Sequence, residues 1–438
     1  MSATNPDPTT TEERTPFVRV VTAGLVGTTI EWYDFFLYGS AAALVFNRIF
    51  FPESDPLVGT MLAFTTYAVG FVARPLGGLV FGHFGDRIGR KRLLVVSLLL
   101  MGGATFAIGL LPTYAAIGVA APLLLTLLRV VQGFALGGEW GGAVLLVAEH
   151  GKPEHRGFWA SWPQAGAPGG NLLATAVLAV LAVTMPDETF LDWGWRIPFL
   201  LSGVLVLVGL WVRLAVSESP VFQEARARAE ASGVREQAPI IGVLRDHWRE
   251  ALIAMGVRMA ENVSYYVVTA FILVYATQQA QMSNGPVLNA VLIASAVHLL
   301  TIPLWGALSD RWGRRPVTAI GAVGVALWSF AFFPLIDTGG FWSMTLAATV
   351  GLVLHGAMYG PQAAFFSELF STRTRYSGAS VGYQLASIVA GGLAPLIATA
   401  LLAAFGTSLP ISVYVAAMGV ITLVAVTVSR ETRGSDLD

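Results

Sequence analysis

Apolar residues run in long unbroken stretches separated by short segments that are charged or rich in Gly, Pro and Asn. A helix needs about 20 apolar residues to cross the hydrocarbon core of a bilayer, so stretches of this length read as membrane spans. Six fall near residues 19–46, 57–81, 93–111, 119–147, 158–184 and 195–216. Six more follow a polar gap, near 247–275, 287–308, 317–336, 342–366, 377–404 and 409–429. None has the strict alternation of a membrane β-strand. The pattern predicts an all-α membrane protein of twelve transmembrane helices: one six-helix half over 1–216, a cytoplasmic linker over 217–246 and a second half over 247–438.

Composition sharpens this picture. Of 438 residues, 55% are apolar and 12% charged, against about 25% charged in soluble proteins. A net charge of −1 gives no case for a nucleic-acid partner; the expected partner is the lipid bilayer. The chain has no Cys, which excludes disulfides, thiolate metal sites and cysteine nucleophiles. Its six His are not at metal-ligand spacing, and no nucleophile elbow, His-Glu-x-x-His or Walker A loop is present. No metal, no cofactor and no enzyme are expected. Met1 to Pro16 lacks the basic and apolar regions of a signal peptide and reads as a polar tail.

Basic residues orient the chain. Twenty-one Lys and Arg fall in the loops of one side and only Arg48 and Arg196 on the other, which places both termini in the cytoplasm. Arg74, Arg129 and Arg258 lie within spans. The mixed-charge run Glu224 to Glu230 reads as a solvated linker helix.

The two halves share a plan. Gly82-His-Phe-Gly-Asp86-Arg87-Ile-Gly89-Arg90-Lys91 after the second span recurs as Gly306-Ala-Leu-Ser-Asp310-Arg311-Trp-Gly313-Arg314-Arg315 after the eighth. Glu149 and Arg156 after the fourth span recur as Glu368 and Arg375 after the tenth, at nearly the same offset. Parallel repeats of this kind mark one large transporter fold. The paired Gly-x-x-x-Asp-Arg-x-Gly-Arg loops resemble the signature of the major facilitator superfamily over essentially the whole chain. Glu31 to Gly39, Arg74 to Gly78, Arg129 to Gly133, Gly137 to Gly142 and Trp193 to Phe199 look like the metabolite:proton symporter family, whose members carry α-ketoglutarate, citrate, shikimate and proline or betaine. The Arg258 to Glu261 stretch and Arg375 to Gln384 look closest to its shikimate-type branch.

Topology alone explains the loop arginines but not the duplicated acids. The preferred reading is a cytoplasmic gate in each half, Asp86, Arg87 and Arg90 with Glu149 and Arg156, mirrored by Asp310, Arg311 and Arg314 with Glu368 and Arg375. Exposed pairs contribute only about 0.2 to 1 kcal/mol each, which suits a gate that must open.

A charge at the centre of a span costs about 2.5 to 3.5 kcal/mol on insertion scales, so each one demands a role. Glu31 and Asp34 stand three apart with Tyr38 a turn beyond. Arg129, Gln132 and Glu139 share a face of the fourth span. Arg258, Glu261, Asn262 and Tyr265 do so on the seventh, and His355, Tyr359 and Gln362 on the tenth. The resemblance implies that these four spans line one cavity. Two neighbouring acids in a low dielectric do not both ionise easily, so Asp34, with Glu31 as second choice, is read as the proton-coupling acid. Arg129 and Arg258, one from each half, suit a carboxylate held at two points. The alternative is that Glu261 and Arg258, three apart, form a permanent neutral pair. Arg74 reads as structural, snorkelling at the cytoplasmic end of its span; His298 reads as a lone packing residue; Trp32, Tyr33, Phe35 and Phe36 read as packing or cavity wall. Gly133, Gly137 and Gly360 read as helix-contact positions.

The expected function is uptake of a small organic acid with a proton by a secondary carrier of the inner membrane, working as a monomer on the proton gradient. An efflux antiporter is the rival reading, disfavoured because Gly157 and Gly166 are not followed by the rest of the antiporter motif. A betaine:proton symporter is disfavoured by the short tail after Arg430.

Overall fold

The computed structural model describes residues 17–88, 90–137, 153–215, 248–370 and 382–435, which are helical almost throughout and hold no strand. The first half contributes α1 (Phe17–Ala41), α2 (Pro56–Ile88), α3 (Arg90–Gly109), α4 (Ala120–Leu136), α5 (Arg156–Thr184) and α6 (Arg196–Ala215). The second contributes α7 (Trp248–Gln279), α8 (Asn284–Trp312), α9 (Arg314–Asp337), α10 (Phe341–Leu369), α11 (Gly382–Phe405) and α12 (Leu409–Val428). Among the described residues eight helices are long and apolar enough to span a bilayer, and the bent pair Asp187–Gly194 with Arg196–Trp211 makes a ninth. α1, which carries the buried acids, and the shorter apolar stretches Val95–Gly109 and Ala120–Leu136 complete the twelve rods. The expected linker over 217–246 lies outside the described residues.

Apolar side chains point outward as well as inward. Leu123, Leu127, Val183, Leu300, Leu327 and Trp342 are all more than half exposed, the surface expected where the solvent is lipid. α7 is the opposite case, with every residue from Val257 to Ala276 buried, and so lies at the centre.

Small residues let the helices approach. A Cβ on Gly133 would collide with the backbone of Gly70, which fixes α4 against α2. Between halves, a Cβ on Gly157 would come within 2.6 Å of the Gly306 carbonyl, and the reverse holds at 2.5 Å, so α5 and α8 meet backbone to backbone. Asn171 Nδ2 donates to Ser295 Oγ across the same seam at 2.8 Å. α2 meets α11 through Phe71, whose ring would lie 2.8 Å from a Cβ on Gly392.

Two local features shape the interior. Widened π turns at Ala42–Phe46, Val267–Phe271, Tyr275–Gln279 and Ser387–Gly392 interrupt the rods that begin with α1, α7 and α11, a device that re-aims side chains near functional sites. The α8 to α9 joint is the single residue Gly313, at φ +102°, a backbone state that a side chain would strain. Asp310 and Arg311 therefore belong to the last turn of α8 rather than to a loop.

Candidate functional site

Trp32 and Phe36 of α1, Ala167 of α5, Arg258, Glu261, Asn262, Tyr265 and Tyr266 of α7, His355 and Tyr359 of α10 and Tyr383 of α11 surround a cavity of about 20 Å³. Both halves supply the wall. That is room for about one water, far below the roughly 300 to 1,000 Å³ typical of ligand pockets, so the site is closed in this conformation. Far along the rods from the α8 to α9 joint, Gln278 Nε2 of α7 donates to Thr60 Oγ1 of α2 at 3.2 Å, tying the halves together at that end as well.

The polar side of the cavity is one knot. α7 loosens at Arg258, whose backbone N–H turns back to the Met255 carbonyl at 3.1 Å. The Arg258 guanidinium lies 3.3 Å from the centre of the Tyr383 ring and 3.3 Å from Glu261 Oε2. It also donates to Asn262 Oδ1 and Gln362 Oε1 at 3.3 and 3.4 Å. The amides of Asn262 and Gln362 donate in turn to Glu261 Oε2, at 3.2 and 3.3 Å. The pairing of Glu261 with Arg258 is thus present, and Gln362 joins it without lining the cavity. His355 Nε2 stands 3.2 Å from Glu261 Oε1, and its Nδ1 stands 2.9 Å from Nε2 of His298. This corrects the reading of His298 as a lone packing residue. No single-helix pattern announces it, because its partner is on another span.

The first half is organised around rings. Phe35 stands between two guanidinium groups, those of Arg74 and Arg129, each 4.4 Å from its centroid. Arg74 also lies 4.3 Å from the centre of Phe71, and Arg129 4.4 Å from that of Tyr38. Both arginines are buried, and Nε and Nη2 of each have no hydrogen-bond partner among the described residues. Arg74 is therefore a caged interior cation, which overturns its reading as a snorkelling residue. The apolar rings around it gave no sequence signal that they stack on a cation rather than on one another.

Arg129 is linked to the acid of α1 by neutral groups. Its Nη1 donates to Gln132 Oε1 at 3.0 Å, and Gln132 Nε2 donates to Thr105 Oγ1 at 2.7 Å. Thr105 Oγ1, which donates to the Met101 carbonyl at 3.0 Å, also stands within hydrogen-bonding reach of Asp34. Asp34 is 3% exposed, and its Oδ1 has no partner among the described residues. Glu31 has different neighbours, lying within electrostatic reach of Arg74 and Tyr383. Tyr38 hydrogen-bonds Thr66 at 2.7 Å. Asp34, Arg129, Tyr38 and Gln132 sit behind the aromatic wall and do not line the cavity in this conformation; Arg258, Glu261, Asn262, Tyr265, His355 and Tyr359 do. Glu139 lies outside the described residues.

The repeated motif of the second half closes on the first half. Asp310 accepts the backbone N–H groups of Gly157 and Phe158 at 2.8 and 2.9 Å, capping the first turn of α5. Arg314 donates to Asp310 at 2.7 Å and grips Glu368 with Nε and Nη2 at 3.1 and 3.0 Å, the fork geometry that makes arginine pairs strong. Arg156 reaches Glu368 Oε1 at 3.0 Å. The expectation had assigned Arg156 to a network inside its own half; it bridges the halves instead. Arg311 is exposed, and among the described residues it takes part through its backbone carbonyl, which accepts from Arg433 at 2.6 Å. Asp86 and Arg87 lie in the last turn of α2 and Arg90 at the start of α3, while Glu149 and Arg375 lie outside the described residues.

One part of this lock was not foreseen. Glu431, beyond α12, accepts the N–H groups of Arg314 and Arg315 at 2.8 and 3.1 Å and so caps α9. Thr432 Oγ1 donates to Glu368 Oε2 at 2.8 Å, and Arg156 Nη1 donates to the Ser435 carbonyl at 3.0 Å. An acid standing among the basic residues of the tail was the only available signal.

The Major Facilitator Superfamily profile matches residues 24–391 and 299–436. The chain is 44% identical over 388 residues to the shikimate transporter of Escherichia coli (strain K12), covering 88% of each protein. It is 42% identical over 425 residues to the inner membrane metabolite transport protein YhjE of the same bacterium, covering 96% of this chain and 95% of that one. Among solved structures, the proton:xylose symporter XylE bound to 6-bromo-6-deoxy-D-glucose matches with a TM-score of 0.74 over 96% of this chain and 97% of that one. At 18% identity this is a likeness of fold.

Proposed function

Because the chain belongs to the Major Facilitator Superfamily and is a multi-pass membrane transporter rather than an enzyme, we propose that it takes up a small organic acid together with a proton. The observation that carries the reading is Arg258, a guanidinium on the wall of a small cavity between the halves, paired with an acid, Glu261, that also meets the imidazole of His355. A carboxylate ligand suits that fork, and the acid it displaces supplies the link to protons.

Arg74 and Arg129 supply two more cations behind the rings, with nitrogens that have no partner among the described residues. Rotation of Phe35 and its neighbours would expose them to the ligand. Asp34, with a carboxyl oxygen free to hold a proton, carries the coupled charge, and the Thr105 and Gln132 bridge passes its state to Arg129. Moving one proton inward draws on about 2.3 kcal/mol per 100 mV. Alternating access follows from opening the Asp310, Arg314, Glu368 and Arg156 lock while the opposite end closes. The distribution of basic loops supports two six-helix halves with both termini in the cytoplasm, in an inner membrane, with the single chain as the working unit.

A panel of radiolabelled carboxylates, shikimate among them, offered to proteoliposomes with and without an inward proton gradient tests the reading. Accumulation of at least one acid that depends on the gradient is expected. Uptake indifferent to the gradient would contradict symport.

A further inference from the structure

The charge state of Glu261 sets which imidazole nitrogens carry protons. Arg258, Asn262 and Gln362 all donate to Oε2, a set that suits the charged carboxylate, and to that form His355 offers Nε2–H. A neutral His355 then has a lone pair on Nδ1, and the 2.9 Å contact requires Nε2–H on His298. The far nitrogen of that ring, His298 Nδ1, is left as a lone pair with no partner among the described residues. His298 is 0% exposed and His355 1%, so bulk water does not satisfy it. A buried acceptor without a donor is costly unless it has a use.

We propose that His298, His355 and Glu261 form a proton relay that controls whether Arg258 is available to the substrate. When the site opens to the acidic side, a hydronium ion gives its proton to His298 Nδ1 and leaves as water. The Nε2–H bond of His298 breaks as its proton joins His355 Nδ1, and the Nε2–H bond of His355 breaks as its proton joins Glu261 Oε1. Each ring ends neutral with its single proton on Nδ1, Glu261 becomes a neutral acid whose O–H donates to His355 Nε2, and the net change is one proton gained. The ion pair with Arg258 is lost, and the guanidinium is free to take a carboxylate from the cavity. Reversing the steps resets the site.

The groups that face the relay are aromatic rings and amides. Tyr265 of α7 lies 5.7 Å from the His298 ring and 4.8 Å from His355, and Tyr359 of α10 lies 5.4 Å from His355. Tyr383 of α11 covers Arg258. From α5, the amides of Asn171 and Gln164 bond to Ser295 and to the Tyr359 carbonyl. Among the described residues no second cation or carboxylate approaches His298. The inference rests on the proton-coupled carboxylate reading above and assigns it a gate in the second half, separate from Asp34.

The test uses full-length transporter labelled with 15N-histidine in nanodiscs, without substrate, titrated by NMR and infrared spectroscopy. Resonances are assigned with His298→Gln and His355→Gln, and the acid carbonyl band with Glu261→Gln. As pH falls, both rings are expected to keep one proton and move it from Nε2 to Nδ1 while the Glu261 acid band grows. Doubly protonated rings, or rings that never exchange tautomers, would overturn the relay.

A transport arm then separates a relay from a brace. Gln at 298 can still donate a hydrogen bond to His355 but cannot take up a proton and pass one on. With radiolabelled shikimate as probe, acidification is expected to raise accumulation and exchange by the wild type and to leave both low in His298→Gln, where Arg258 stays paired with Glu261. Wild-type accumulation in that variant would overturn the proposal. If the wild type itself accumulates no carboxylate under a gradient, the carrier reading fails, and the tautomer exchange still decides the relay.

Discussion

Arg156 and Glu368 lie 212 positions apart in the chain and 3.0 Å apart in the fold, with both side chains sealed from solvent. One begins α5 and the other ends α10, so this contact joins the two halves where the repeated motifs meet. Its burial changes its weight. Exposed pairs are worth a few tenths of a kcal/mol, whereas removing one partner of a buried pair costs about 3 to 5 kcal/mol because the other charge is stranded.

Glu368→Gln is therefore expected to populate the cytoplasm-open form. A loss of about 3 kcal/mol corresponds to more than about a hundredfold in the equilibrium. The natural chain has no Cys, so Ala160→Cys, at a fully buried α5 position near the lock, reports opening through its rate of maleimide labelling. Much faster labelling in the Glu368→Gln background is the predicted result.

The tail should act in the same direction with smaller effect. Glu431→Ala uncaps α9 by removing the acceptor for Arg314 and Arg315, a loss of about 1 kcal/mol. Labelling of the same reporter should rise several-fold. An unchanged rate would mean that the tail merely rests against the lock.

Arg258→Lys keeps the charge and discards the fork. Lysine can neither grip a carboxylate at two points nor lie flat against Tyr383 as the guanidinium does. The apparent KM for shikimate uptake should rise by about tenfold or more, the effect of losing one charge-assisted hydrogen bond of about 1.5 to 3 kcal/mol.

Phe35→Ala removes the ring that separates Arg74 from Arg129. Truncating a buried Phe costs about 3 to 5 kcal/mol, and here two cations also lose a shared π face. A clear fall in the thermal unfolding midpoint in detergent is expected. Phe35→Tyr, which keeps the face, should recover most of it.

The twelve rods were legible because hydropathy acts within one segment: each apolar run had only to be long enough. The polar faces of α1, α7 and α10 were legible for a similar reason, since helical spacing aligns Arg258 with Glu261 and His355 with Tyr359. Azimuth across halves was not. Nothing local tells Arg156 that its partner is Glu368, or His298 that it meets His355, because such pairs are set by how two repeats dock. The rings around Arg74 carried the same ambiguity, as an aromatic stripe serves a cation or a core equally well. The π turns that follow α1 and interrupt α7 and α11 carry no hydropathy signal either. One repeat of the motif, moreover, occupies a helix end joined by Gly313 rather than a loop, a distinction that hydropathy does not draw.

The most direct test of the central claim follows the proton itself. A pH-sensitive dye sealed inside proteoliposomes, with no gradient imposed, reports lumenal pH when shikimate or another transported carboxylate is added outside. Acidification that tracks substrate entry and vanishes in Asp34→Asn is the result predicted here. Substrate entry with a flat dye signal would contradict it.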